Sequence, residues 1–84
     1  MKELELLKKK IKYRAAYRGT KEMDMLLTSF VNSVMNTLGP LDLLKLEEFL
    51  NCNDEDIYNF YLNNDSFINF SDKKILNLFK SFMI

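Results

Sequence analysis

Residues that let a chain reverse direction cheaply are scarce in this sequence: two glycines and one proline in 84 residues, placed only at Gly19 and Gly39-Pro40. A sheet needs a tight turn after nearly every strand, and such turns draw on glycine and proline for backbone angles that other residues resist. So few of them favour helices. Apolar residues also recur at a spacing near 3.6, the helical period. Together these features predict an all-α fold: a compact five-helix bundle forming a single domain over residues 1–84.

The first helix is expected from about Lys2 to Tyr17. Leu4, Leu7, Ile11 and Ala15 form one stripe, while Leu6, Tyr13 and Tyr17 lie nearly opposite. A helix apolar on two sides either packs on both or offers one to a partner. Gly19 interrupts it. The second helix is expected over about Thr20 to Leu38, with Met23, Leu26, Leu27, Phe30, Val34 and Leu38 inward. Thr20 is its N-cap, and Glu22 and Asp24 place negative charge where the helix dipole favours it. Gly39-Pro40 ends that helix and opens a third, Leu41 to Leu50, built around Leu43, Leu44, Leu46, Phe49 and Leu50. Asn53 is the expected cap of a fourth helix, which begins Asp54-Glu55-Asp56 and buries Ile57, Phe60 and Tyr61. A loop over Asn63 to Phe70 then leads to Ser71, the expected cap of a fifth helix with Ile75, Leu76, Leu78, Phe79 and Phe82 inward.

The chain lacks histidine altogether, which removes the commonest general base and metal ligand and any Ser-His or Cys-His pair. One cysteine, Cys52, allows neither an internal disulfide nor a structural zinc site, and it suits a reducing compartment. The run Asp54-Glu55-Asp56 lacks the ligand spacing of a calcium loop and reads as a charged helix start. No phosphate-binding glycine loop occurs. Neither catalytic nor metal residues are assigned, and the chain is not expected to be an enzyme. No apolar stretch approaches the roughly 20 residues that span a bilayer, so no membrane insertion is expected. The start carries neither a secretory h-region nor an acid-poor presequence, so a bacterial cytoplasm is expected rather than a mitochondrial matrix.

Net charge is zero but uneven: residues 1–22 carry eight basic groups against three acidic, and residues 23–84 carry four against nine. The basic end is either an electrostatic docking end or a solvated helix face. Nucleic-acid binding fits poorly, because the pI is about 6.2 and Leu41 to Leu50 has Lys45 as its only base.

The junction Tyr17-Arg18-Gly19-Thr20-Lys21-Glu22-Met23-Asp24 carries the functional reading. Here the chain resembles the assembly factors that promote covalent attachment of FAD to the flavoprotein subunit of succinate dehydrogenase. Their signature is Arg-Gly-x-x-Glu, then an acidic residue and a run of aliphatics, met here by Arg18, Gly19, Glu22, Asp24 and Met25-Leu26-Leu27. A second block, Leu50 to Phe60, resembles the family's acidic turn leading into an aromatic helix. Together the two blocks span about residues 11–63. The sequence departs from the family pattern at Tyr17, where many members carry a basic residue or histidine, and at Phe60, where many carry tryptophan.

The resemblance implies a five-helix protein that binds the flavoprotein subunit, with fumarate reductase a further candidate client. It implies that FAD and the histidine it joins belong to the partner, so this chain is expected to bind no cofactor itself. The expected partner-binding residues are Arg18, Gly19, Glu22, Asp24, Tyr17, Lys21, Tyr13 and Met25. On this reading Gly19 permits close approach and Arg18 helps stabilise developing negative charge. Glu22 orients the site or pairs with a partner arginine. Read without the resemblance, Arg18 and Glu22 form an ion pair or caps that fix the helix corner. The chain is expected to be a monomer in isolation. The alternative function is a small helical nucleic-acid-binding or general adaptor module.

Overall fold

The computed structural model describes residues 2–63 and 72–82, and among them the chain forms five helices and no strand. These are α1 (Lys2–Ala16), α2 (Lys21–Val34), α3 (Pro40–Leu50), α4 (Asp54–Asn63) and α5 (Lys73–Ser81). The all-α bundle read from the sequence is the fold observed. None of the described helices is long and apolar enough to cross a membrane.

Helix α1 lays the stripe of Ile11 and Ala15, both fully buried, against α2 and α3, with Leu4 and Leu7 partly covered beside them. Helix α2 starts as its capping chemistry dictates: Thr20 is extended, and its Oγ1 accepts from the Met23 N–H at 3.3 Å. It buries Met23, Leu26, Leu27, Phe30, Val31 and Val34. The helix stops four residues before the expected Leu38. At that point the Val34 carbonyl accepts from the Thr37 N–H, the Leu38 N–H and the Thr37 hydroxyl, at 3.0, 3.2 and 3.0 Å. A hydroxyl competing for helix carbonyls loosens the last turn. Gly39 then precedes Pro40, which sits in the first turn of α3.

Two expectations about the core need correction. Leu44, placed inward from the sequence, is 48% exposed, because Leu43, Leu46 and Leu50 define the buried face of α3 and Leu44 lies about 100° around from it. Val31 and Met35, not assigned inward, are buried. The cap of α5 is Asp72, whose side chain accepts from the Ile75 N–H at 3.1 Å. Ser71, the cap expected from the sequence, and most of the expected loop lie outside the described residues.

The centre of the core is aromatic. Phe30 of α2 meets Phe79 of α5, Phe49 of α3 and Phe82 edge-on, at ring-centroid separations of 5.0, 6.3 and 5.6 Å. Phe49 and Phe79 meet at 5.1 Å. Such edge contacts add to the transfer energy of three fully buried rings. Helices α4 and α5 are also tied by polar contacts. The Lys80 ammonium donates to the Phe60 and Tyr61 carbonyls near the C-terminus of α4, at 3.0 and 2.9 Å, where helix carbonyls favour a cation.

Phe30→Ala is expected to lower stability by about 3–5 kcal/mol, the usual loss for a buried phenylalanine. That is a large share of the roughly 5–15 kcal/mol that holds a small domain. Thermal unfolding followed by circular dichroism reads the shift; Leu62→Ala, at an exposed position, should leave the midpoint almost unmoved.

Candidate functional site

The Arg-Gly-x-x-Glu motif forms the corner between α1 and α2. Helix α1 ends at Ala16, and the chain turns through residues 17–20 with Gly19 at φ +119°. L-residues rarely adopt that angle, which is why the turn takes glycine. Gly19 is exposed, and no atom lies within 4 Å of where a β-carbon would stand. The bend is held by Asp24, whose Oδ1 accepts the Arg18 backbone N–H at 2.6 Å.

The Arg18 side chain turns inward. Its Nε donates to Asp54 Oδ1 at 2.8 Å, and Nη2 stands 2.8 Å from the same oxygen. Nη1 donates to the Leu50 carbonyl at 2.6 Å and to the Arg14 carbonyl at 3.2 Å, and Nη2 donates to the Cys52 carbonyl at 3.1 Å. Each guanidinium nitrogen is therefore engaged by an acceptor of the chain itself, and the side chain is only 9% exposed. Leu50 ends α3 and Asp54 begins α4. One cation thus satisfies carbonyls left open where α3 stops and pairs with the acid that opens α4. Arg14 adds a second tie, donating to Asn51 Oδ1 at 2.5 Å. A planar fork serves several acceptors at once in a way that a lysine ammonium does not.

The expected partner-binding residues divide by orientation. Tyr13, Tyr17, Gly19, Lys21, Glu22 and Met25 are exposed, whereas Arg18 and Asp24 are half-buried and hydrogen-bonded within the corner. Glu22 stands in the first turn of α2 and lines an open groove of about 550 Å³ with Thr20, Asp54, Glu55 and Tyr58. Arg18 does not pair with Glu22; its carboxylate partner is Asp54. Asp54, Arg14 and the Leu50 and Cys52 carbonyls were not singled out from the sequence as members of this corner. The signal was the second motif block itself, since Leu50, Cys52 and Asp54 all lie in it and all contact Arg18 of the first.

Cys52 is half-buried beside this tie. Burial, reinforced by the Asp56 carboxylate, raises its thiol above the ordinary range, while Arg18 pulls the other way. A thiol so held is mostly protonated near neutral pH and a poor nucleophile.

A comparison with protein-family models matches residues 9–83 to the family described as the flavinator of succinate dehydrogenase. The chain belongs to this family. The match reaches beyond the two motif blocks to take in α5, so the last helix is part of the shared fold. The function of a flavinator is assembly: the family serves the flavinylation of succinate dehydrogenase and acts with its flavoprotein subunit. Comparisons with curated proteins and with solved structures returned no match.

Two outcomes follow for this chain. Arg18→Ala should destabilise the fold by about 3 kcal/mol, toward the lower end of the cost of breaking a buried pair, because Asp54 is 29% exposed. Arg18→Lys should recover only part of that loss; denaturant midpoints measure both. Alkylation of Cys52 by iodoacetamide at pH 8 should run severalfold slower than that of a free cysteine. It should speed up in Asp56→Asn, which removes one of the groups raising the thiol.

Proposed function

We propose that this chain binds the FAD-loaded flavoprotein subunit of succinate dehydrogenase at the Gly19 corner and promotes covalent attachment by positioning, with no catalytic group of its own. The observation that carries the proposal is the open, side-chain-free surface at Gly19, flanked in the chain by exposed Tyr17, Lys21 and Glu22, with exposed Met25 about one turn further along α2. A partner backbone can approach there to a distance that any side chain would prevent. Tyrosine and methionine, exposed here at Tyr17 and Met25, are residue types enriched at interfaces.

The division of labour inside the motif supports positioning over chemistry. Arg18 is committed to the chain's own acceptors, so its contribution is to hold the corner in the shape the partner meets. The Glu22 side chain makes no hydrogen bond or ion pair among the described residues and is the motif's free carboxylate for a basic group of the partner. FAD and the histidine that receives it stay with the flavoprotein throughout. Docking holds the domains that carry them so that the reacting atoms remain in near-attack geometry, where small displacements are costly.

Co-expression of the flavoprotein subunit with each variant, followed by in-gel fluorescence of covalently held flavin, tests this. Glu22→Lys and Gly19→Arg should each lower flavinylation at least about tenfold, since a misplacement of about 1 Å can cost on the order of 100-fold. Glu22 is exposed, so its reversal should leave the melting temperature near wild type. Gly19→Arg adds backbone strain of about 1–3 kcal/mol, which a parallel melt measures. Wild-type flavinylation by a folded Glu22→Lys protein would rule out this corner as the working surface.

A further inference from the structure

The outer face of α1 is not consumed by the fold. Leu6, Lys9 and Tyr13 follow one another at intervals of three and four residues, away from buried Ile11 and Ala15, and Tyr17, just past the end of α1, carries the strip into the Gly19 corner. Tyr13 and Tyr17 are 66% and 72% exposed, and their rings contact each other at a centroid separation of 4.6 Å. Two large rings that touch each other and not the core form an apolar patch facing solvent. Around the two tyrosines the charged side chains that line the surface are basic, the acids of α1 lying in its first turn at Glu3 and Glu5. Lys9 and Lys12 are exposed and carry no ion pair among the described residues, unlike Lys10, which meets Glu47 at 3.5 Å. Lys9, Lys10, Tyr13, Arg14, Tyr17 and Arg18 line an open groove of about 580 Å³ that holds no acidic side chain. On the other side of Gly19 the groove lined by Glu22, Asp54 and Glu55 is acidic.

We infer that this strip of α1 is an electrostatic landing surface for a carboxylate-bearing patch on the flavoprotein partner, with Lys9 and Lys12 steering the approach and the Tyr13–Tyr17 pair seated at the centre of the contact. The inference rests on the docking reading above and adds the chemistry of the partner's surface. Complementary charge at the edge of an interface acts mainly on the rate of encounter, and aromatic anchors act mainly on the lifetime of the complex. The acidic groove across the corner argues for a protein and against a nucleic acid. A polyanion following the lysines would meet like charge at Glu22 and Glu55, whereas a protein surface can present acid to one side and base to the other.

Biolayer interferometry of the purified chain against the FAD-loaded flavoprotein subunit, at about 50 and 300 mM salt, separates the two roles. The double variant Lys9→Glu/Lys12→Glu should lower the association rate about tenfold or more at low salt and much less at high salt, with the dissociation rate within about twofold of wild type. Tyr13→Ala should do the reverse, raising the dissociation rate and sparing association. Equal association rates for wild type and the double variant at low salt would overturn the inference while leaving the Gly19 corner untouched. Loss of single-stranded DNA retention in the double variant, with flavoprotein association unchanged, would overturn it in favour of a nucleic-acid ligand. Failure of the wild-type chain to bind the flavoprotein at either salt would remove both readings together.

Discussion

The contact on which the corner depends is the guanidinium of Arg18, placed where α1, α3 and α4 converge. It accounts for much of what is particular about the molecule. Helix ends leave carbonyls and N–H groups without partners, and three helices terminate or begin around this point. One side chain supplies the missing donors to α3, pairs with the acid that opens α4 and reaches back to α1. With the far side anchored in this way, the turn that follows can stay bare. Gly19 is free to remain open because the residue before it does the holding. The motif is a mechanical unit in which an arginine turned inward supports a glycine turned outward.

This arrangement changes how variants at the motif are interpreted. An arginine next to an invitingly exposed glycine reads naturally as a group that touches a partner or its flavin. Its bonds say otherwise: Asp54, Leu50 and Cys52 take its donors, and Asp24 takes its backbone N–H. Loss of activity on replacing Arg18 is therefore first a statement about the shape of the corner. Glu22, exposed and unpaired among the described residues, is where a defect with an intact fold reports contact. Asp24 belongs with Arg18, on the structural side.

Much of the fold was legible because its signals are local. Helical spacing, Thr20 as cap and the placement of Gly39-Pro40 all act within a few residues of the feature they determine. What escaped depended on neighbours distant in sequence or on competition for one atom. Leu44 reads as core because it is a leucine among leucines; only the angle of α3 against its neighbours turns it outward. The early end of α2 follows from three donors converging on the Val34 carbonyl, which no propensity scale registers. In the corner, Gly19 and Glu22 stood out through the motif's resemblance to the family, not through spacing or charge alone. The Arg18–Asp54 pairing spans 36 positions and was visible only as the co-occurrence of two blocks.

The aromatic centre carries an implication for how the protein comes into being. Phe79 and Phe82 supply two of the rings that meet Phe30, and both lie in or just after α5, the last of the described helices to leave the ribosome. Until that segment emerges, Phe30 and Phe49 have each other but not the rings of Phe79 and Phe82 that complete the centre. The chain through residue 82 is therefore needed before the interior can be complete, which ties closure of the core to the last described helix.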